Sequence, residues 1–264
     1  MTVERWTSGE RASAMDDVVV EEPLEIRISG ETLATTMRTP GHDAELALGF
    51  LRGEGIIATI DDVSGVAHCG RTGDEGRFNT IDVTPAPGVR IDLDATTAAR
   101  RGTLTTAACG VCGRRTIDDL LQRCTVVENT ERFPRRAILS AVRAMRPLQV
   151  IFERTGGCHA AALARVDGTI AALFEDVGRH NAVDKIVGSQ LKARALPLSS
   201  FALVVTGRIS FEIVQKAIAA GIGTVAGVSA PSSLAVDLSR KAEVTVAGFA
   251  RGESVTVYSG ALET

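Results

Sequence analysis

From residue 201 onward the chain alternates short apolar runs with amphipathic stretches, and this order restricts the fold more than any other feature. Residues 201–205, 224–228 and 244–246 read as strands, and 210–220 and 232–241 as the helices between them. Parallel strands need a crossover to return to the same edge, and a helix is the usual way to supply it. Strand–helix–strand order with short links therefore predicts right-handed crossovers and a largely parallel sheet. The Ser210 hydroxyl is placed to cap its helix. Upstream, 160–166 and 169–174 read as a hairpin around Asp167 and Gly168, and 181–191 as a helix. Pro134 opens a helix over 135–145 that stops before Pro147.

The first half is different. Residues 1–17 are polar and aperiodic and read as a flexible arm. Residues 18–39 alternate in places (Leu24, Ile26, Ile28) and predict two strands turning at Ser29, Gly30 and Glu31. Asp43 and Glu45 mark a helix start, and Gly53 and Gly55 its end. Short β-like pieces recur over 63–94, and 117–121 reads as a short helix. The expected organisation is a two-domain α+β and α/β protein: an arm (1–17), a smaller β-rich N-terminal domain (18–130) with a mobile loop at about 96–115, and a C-terminal domain (131–264).

Composition narrows the function classes. A net charge of −3 gives no global basic field for nucleic acid. No apolar run approaches the roughly 18 residues of a membrane span, and the N-terminus lacks the apolar core of a signal peptide, so a cytoplasmic location is the default expectation. Five cysteines, an odd number, do not make a secreted disulfide framework.

Two of these cysteines form the motif Cys109-Gly110-Val111-Cys112-Gly113. Such a pair can be half a zinc site, a redox disulfide, a sulfur carrier or inert. Zinc needs about four ligands, usually from a second pair, and no second C-x-x-C exists. A thioredoxin-like pair opens a helix directly after a strand, whereas here a Thr/Ala-rich segment precedes the motif and glycine follows each cysteine. A persulfide carrier needs an open thiolate that can reach a donor and an acceptor, and Arg114 and Arg115 favour the anionic forms. Cys112 is placed to assist transfer or resolve the persulfide by exchange. Spacing alone leaves these uses open.

Three loops of the C-terminal half carry small residues beside an Arg or a helix start: Thr206 to Ser210 with Gly207 and Arg208, Ser229 to Ser232, and Phe249, Ala250, Arg251 and Gly252. In open sheets ligands collect beyond the carboxyl ends of the strands. Free helix-end N–H groups and guanidinium groups favour anions, so the three loops together suggest a nucleotide-like ligand, although each alone is equally an ordinary connection. Cys158 and His159 are sequence neighbours and so point apart. Zinc deaminases need H-x-E and P-C-x-x-C; Ala160 and Ala161 follow His159, so the catalytic Glu is missing. The dense run from Glu175 to Lys185 either forms salt bridges and a helix cap or lines a cleft with Arg179, His180, Asp184 and Lys185.

The same segments carry a family resemblance. EEPLEIRISGE, TPGHDAELALGFLRGEGII, CGVCG, FERTGGCHAAAL, EDVGRHNAVDKIVG, GRISFEIVQKA and APSSLAVDLSRKA occur in order from Glu21 to Ala242. In this the chain resembles the formate dehydrogenase accessory sulfurtransferase family, FdhD. The resemblance implies a sulfurtransferase that takes sulfur from a cysteine desulfurase as a persulfide on Cys109, with Cys112 as motif partner. It implies transfer to molybdenum bis-(molybdopterin guanine dinucleotide), bound as substrate, before insertion into formate dehydrogenase. It implies a cytidine-deaminase-like C-terminal three-layer sandwich without its zinc, no structural metal, and a homodimer. It also implies that Phe249, Ala250, Arg251, Gly252, Glu253 and Ser254 meet the nucleotide ends of the cofactor, to which the loop reading adds Gly207, Arg208 and Ser229. Two rivals are a zinc nucleoside deaminase and a non-catalytic chaperone that binds only cofactor or apo-enzyme.

Overall fold

A computed structural model of the chain describes residues 1–69, 77–91, 126–127 and 131–264. The loop at about 96–115, with Cys109 and Cys112, and the helix expected over 117–121 lie outside the described residues. The elements are β1 (Thr2–Thr7), β2 (Glu10–Met15), β3 (Glu22–Ile28), β4 (Glu31–Arg38), α1 (Asp43–Gly53), β5 (Val63–His68), β6 (Thr80–Pro85), α2 (Arg135–Met145), α3 (Val150–Thr155), β7 (His159–Ala164), β8 (Ile170–Asp176), α4 (Arg179–Lys192), β9 (Ala202–Val205), α5 (Phe211–Ala219), β10 (Thr224–Gly227), α6 (Ser233–Lys241), β11 (Thr245–Arg251) and β12 (Ser254–Ser259).

The fold is mixed α/β. A six-stranded sheet runs β12-β11-β10-β9-β7-β8, and a four-stranded sheet runs β4-β3-β6-β5. The expected parallel arrangement holds only at the centre of the larger sheet, where β9, β10 and β11 pair in parallel. The neighbours β7, β8 and β12 add on antiparallel. The reason is connection length: β7–β8 and β11–β12 are joined by tight turns, and a tight turn reverses the strand. The arm expected at 1–17 is a second departure. Its β1 and β2 pair in a regular antiparallel hairpin, although their side chains are almost all exposed. Without a buried face there is no apolar alternation for a sequence reading to detect.

Both faces of the larger sheet are covered, which explains its continuous apolar strands. Ala161, Leu163, Leu203 and Val205 pack against α4, α5 and α6 through Val183, Ile186, Val187, Ile213, Val214 and Leu238. Ala160, Ala162, Ala164, Ala202 and Ala226 face α2 through Ile138, Ala141 and Met145. The near-uniform alanine on that side lets α2 lie close. The smaller sheet buries Leu24, Ile26, Ile81 and Val83 against Leu46, Leu48 and Leu51 of α1, and Leu191 of α4 joins this core.

Helices α1 and α4 join the two sheets. A β-carbon added to Gly49 would stand 1.9 Å from the Asp184 carbonyl oxygen, and one on Gly188 only 1.8 Å from that of Glu45. The helices therefore touch backbone to backbone. Next to this contact lies a buried ion pair: Lys216 of α5 donates to both carboxylate oxygens of Asp184 at 2.7 and 2.9 Å. Burial pushes the Asp184 carboxyl up to about 6 against the pull of Lys216. Burial also opposes the Lys216 charge, but Asp184, Glu54 and Glu212 outweigh it and hold the ammonium above its usual value. The raised carboxyl fixes the sign of a pH effect. Between the ordinary value of 3.8 and about 6 the folded chain binds a proton that the unfolded chain releases. The stability from this group is complete below that window and is lost as pH rises through about 6. Asp184→Asn removes the slope, so the stability of the variant relative to the parent should climb from pH 4 to 6 in urea titrations; a constant difference would contradict the assignment.

Candidate functional site

The site is built where β9, β10 and β11 end together. The loops leaving them are laced by backbone hydrogen bonds: Ile209 N–H donates to Ala230 at 3.1 Å, Ser232 N–H to Ile209 at 2.9 Å, and Phe249 N–H to Ser229 at 3.2 Å. The three segments singled out in the sequence thus form one continuous rim, although Phe249, Ala250 and Arg251 belong to strand β11 and not to a loop, because pairing with β12 carries that strand on to the turn at Gly252. Ser232 caps α6, its hydroxyl accepting from Ala235 N–H. Ser210 does not cap α5 in the expected way; its hydroxyl lies 2.9 Å from His180 Nε2, which also meets the Glu212 carboxylate at 2.8 Å. A tertiary partner has taken the hydroxyl from the local cap.

The residues from Phe249 to Ser254 form the tip of the β11–β12 hairpin, where the register shifts between Gly248 and Arg251. Phe249 sits in the left-handed region at φ 51° and Gly252 at φ 57°. A phenylalanine held there is strained, and strain of this kind gathers at functional sites. Phe249 is 38% exposed, with the Arg251 guanidinium over its ring at 6.0 Å from the centroid. An open ring next to a planar cation is a surface on which a flat heterocycle can stack. The tip is fixed to α2, since Arg135 donates to the Glu253 carbonyl and Arg143 to that of Gly252.

Below the rim a cavity of about 490 Å³ opens between the strand ends and α2 and α3. Val142, Met145, Phe152 and Val228 make it apolar, and Arg146, Gln149, His159 and Thr206 add polar groups. Cys158 also reaches it, but lies buried against the Thr39 hydroxyl, and burial pushes its thiol up. That environment suits a packed thiol rather than a nucleophile.

The Glu175 to Lys185 run divides between the two readings. Asp176 and Lys185 pair at 2.7 Å, both fully buried. Asp176 also accepts from Thr39 N–H, Gly178 N–H and the Asn181 amide, while Lys185 donates to the Thr39 carbonyl. With Asp184 on Lys216, these residues lock α4 to the end of β4 and to α5 instead of lining a cleft. Two residues of the run, at the start of α4, reach the rim: Arg179 lies against Gly207, and His180 meets the Ser210 hydroxyl. Among the described residues no group of three His, Cys, Asp or Glu side chains is arranged to hold a metal ion, and no helix is long and apolar enough to cross a membrane.

Comparison with known proteins agrees with the motif order. Residues 19–263 match the model of the FdhD/NarQ family. The chain belongs to the FdhD/NarQ family. Among its relatives, a protein of Anaeromyxobacter dehalogenans named sulfur carrier protein FdhD is 53% identical, covering 97% of this chain and 91% of the relative. One of Mycolicibacterium paratuberculosis with the same name is 44% identical over 98% and 96%. A solved structure of a candidate formate dehydrogenase accessory protein from Desulfotalea psychrophila has the same fold, with a TM-score of 0.75, at 23% identity over 98% of this chain and 96% of that one.

For an FdhD/NarQ protein, the structure brings together Gly207, Arg208, Ser229 and the Phe249 to Ser254 tip, residues spread over 48 positions of sequence (207 to 254). Arg179 and His159 also belong to this rim, and the loop reading passed over them as cofactor residues. They precede the crossover units and approach Gly207 only through the antiparallel addition of β7 and the start of α4. The one signal in the sequence was polarity at a strand–helix junction.

Proposed function

We propose that this chain is a sulfur carrier that takes sulfur from a cysteine desulfurase as a persulfide on Cys109. It delivers that sulfur to molybdenum bis-(molybdopterin guanine dinucleotide), held as substrate at the strand-end rim, before insertion into formate dehydrogenase. The observation that carries this reading is family membership with relatives named sulfur carrier protein, together with the C-G-V-C-G motif of the sequence. The rim supports the cargo half: Phe249 and Arg251 offer a stacking surface, and Gly207, Arg208 and Ser229 lie along the same edge.

The chemistry proceeds by thiol exchange. The Cys109 thiolate attacks the outer sulfur of the desulfurase persulfide, forming Cys109–S–SH and releasing the donor thiolate. When Cys112 attacks the inner sulfur of Cys109, hydrosulfide leaves and a Cys109–Cys112 disulfide remains. The two electrons that reduce the outer sulfur then come from the cysteine pair. In this reading residues 18–130 present the cysteines, residues 131–264 form a deaminase-like scaffold that has lost its zinc and holds the cofactor, and the protein acts as a cytoplasmic homodimer.

Incubation with a cysteine desulfurase and cysteine, followed by mass spectrometry, tests the carrier role. The expected product gains the mass of one sulfur atom on Cys109 and loses it on reduction. Cys109→Ala should gain nothing and fail to restore formate dehydrogenase activity in cells lacking the protein. An unmodified Cys109 would favour the chaperone reading.

A further inference from the structure

The β1–β2 hairpin precedes residue 19, where the match to the family model begins. Its turn is regular: Ser8 and Gly9 both take positive φ, at 51° and 88°, the conformation of the tight hairpin turn whose twist suits the flanking strands. Its ladder runs without a register shift from Thr7 and Glu10 to Thr2 and Met15, and Asp16 N–H continues it to the Met1 carbonyl at 2.9 Å. The base is tied to α3, where Arg154 donates to Asp17 at 2.8 and 3.2 Å and Val19 lies against Gly157. Beyond that tie, none of its side chains joins a buried core among the described residues. Trp6 is 66% and Met15 74% exposed. A two-stranded hairpin with both faces in water is marginal by itself, and further strands are what stabilise it.

The alternation of hydrogen bonds decides which backbone groups are open. Asp16 N–H donates toward β1, so residues 14, 12 and 10 also turn inward, and Arg11, Ser13 and Met15 turn outward. The same rule leaves Thr2, Glu4 and Trp6 outward on β1. An open edge accepts another strand unless proline, lysine or a bulge blocks it, and neither strand carries any of the three. The side chains then separate the two edges. Two copies joined edge to edge about a two-fold axis place one residue opposite itself. On β1 the longest registers set Glu4 against Glu4 or Arg5 against Arg5, and like charges directly opposite destabilise a strand pair. On β2 they set Ala12 against Ala12 or Ser13 against Ser13. The Ser13 register also brings Glu10 opposite Asp16. The Ala12 register puts Arg11 opposite Ser13 and Glu10 opposite Ala14, with no like-charge pair.

We propose that the outer edge of β2 is a docking surface for a second copy of this chain, the two β2 strands pairing antiparallel about Ala12 to make a four-stranded sheet. The Arg11 and Ser13 backbones of the two copies exchange N–H to carbonyl bonds, and the axis doubles each of them. Ala12, Ser13 and Ala14 are small, so no bulky side chain stands at the centre of the contact. The proposal rests on the homodimer reading and supplies it with a contact.

Sedimentation velocity of the full chain over a concentration series tests this. Ser13→Pro removes an outward N–H and no bond of the hairpin itself. It should weaken association about 10- to 100-fold, because the axis counts the lost bond twice. The indole resonance of Trp6, the one tryptophan of the chain, shows whether the hairpin remains. Residue 12 meets its own copy, which allows a charge swap. Ala12→Glu and Ala12→Lys should each associate more weakly than the parent, and an equimolar mixture more tightly than either alone. Weakened variants whose mixture gains nothing would overturn the Ala12 register. A dimer that persists in Ser13→Pro and in both charged variants would overturn the β2 contact while leaving the homodimer reading intact. A parent chain that stays monomeric would overturn both, and leave the edge to an extended segment of a different protein.

Discussion

Gly188→Ala is expected to cost about 3 kcal/mol or more of folding stability, because its methyl group has no space. The new carbon would fall 1.8 Å from the Glu45 carbonyl oxygen and 2.8 Å from Gly49 N. Both neighbours are backbone atoms of α1, so no rotamer change relieves the clash. Helix α1 must move, carrying the four-stranded sheet whose core it fills through Leu46, Leu48 and Leu51. Overpacking with a side chain that can shift costs about 1–3 kcal/mol, and a rigid contact costs more. For a chain of this size the melting temperature should drop by roughly 10 °C. Gly49→Ala should behave alike, since its methyl meets the Asp184 carbonyl. Gly65→Ala is the matched control. It has no neighbour within 4 Å and no positive φ, so its effect should stay within about 0.5 kcal/mol. Thermal and urea denaturation measure all three, and a Gly188→Ala chain as stable as its parent would show that this crossing does not set the distance between the sheets.

Lys185→Met is the second large effect. It leaves the Asp176 carboxylate fully buried without its cation. Breaking one side of a buried pair typically costs about 3–5 kcal/mol, mainly from the charge left behind. The hydrogen bonds that remain, from Thr39, Gly178 and Asn181, hold the carboxylate in place and prevent it from turning toward water. The double variant Asp176→Asn with Lys185→Met removes that charge. It should therefore be more stable than Lys185→Met alone, a coupling that a double-mutant cycle by urea denaturation measures directly. Simple addition of the two losses would contradict the pairing. These residues also join the start of α4 to the end of β4, so Lys185→Met should loosen the position of Arg179 at the rim as well.

Much of the fold was legible in order and type. The helix over 135–145 matched α2 from end to end, and the Asp167–Gly168 turn, the 29–30 turn and strands β9 and β10 fell where periodicity put them, whereas β11, expected over 244–246, runs on to Arg251. These elements have one buried face and clear punctuation, so their pattern is local. What failed was equally physical. The β1–β2 hairpin has no buried face to betray it. Ser210 carries a good capping side chain, yet His180, 30 residues away in sequence, holds it. Asp184 and Lys185, adjacent on α4, serve two separate buried pairs, with Lys216 and Asp176, and no spacing rule reveals which long-range partner each takes.

The sequence by itself determined the motif order, the cysteine pair, the crossover half of the fold and the three small-residue segments, because all of these are contiguous in the chain. Only the tertiary structure decided that the three segments form one rim, that the outer strands run antiparallel, and that Gly49 and Gly188 are where two helices touch. It alone set Arg179 and His159 beside Gly207. Each of these depends on which strands become neighbours and how closely two backbones approach, and a contact between residues far apart in sequence leaves no periodic trace in either.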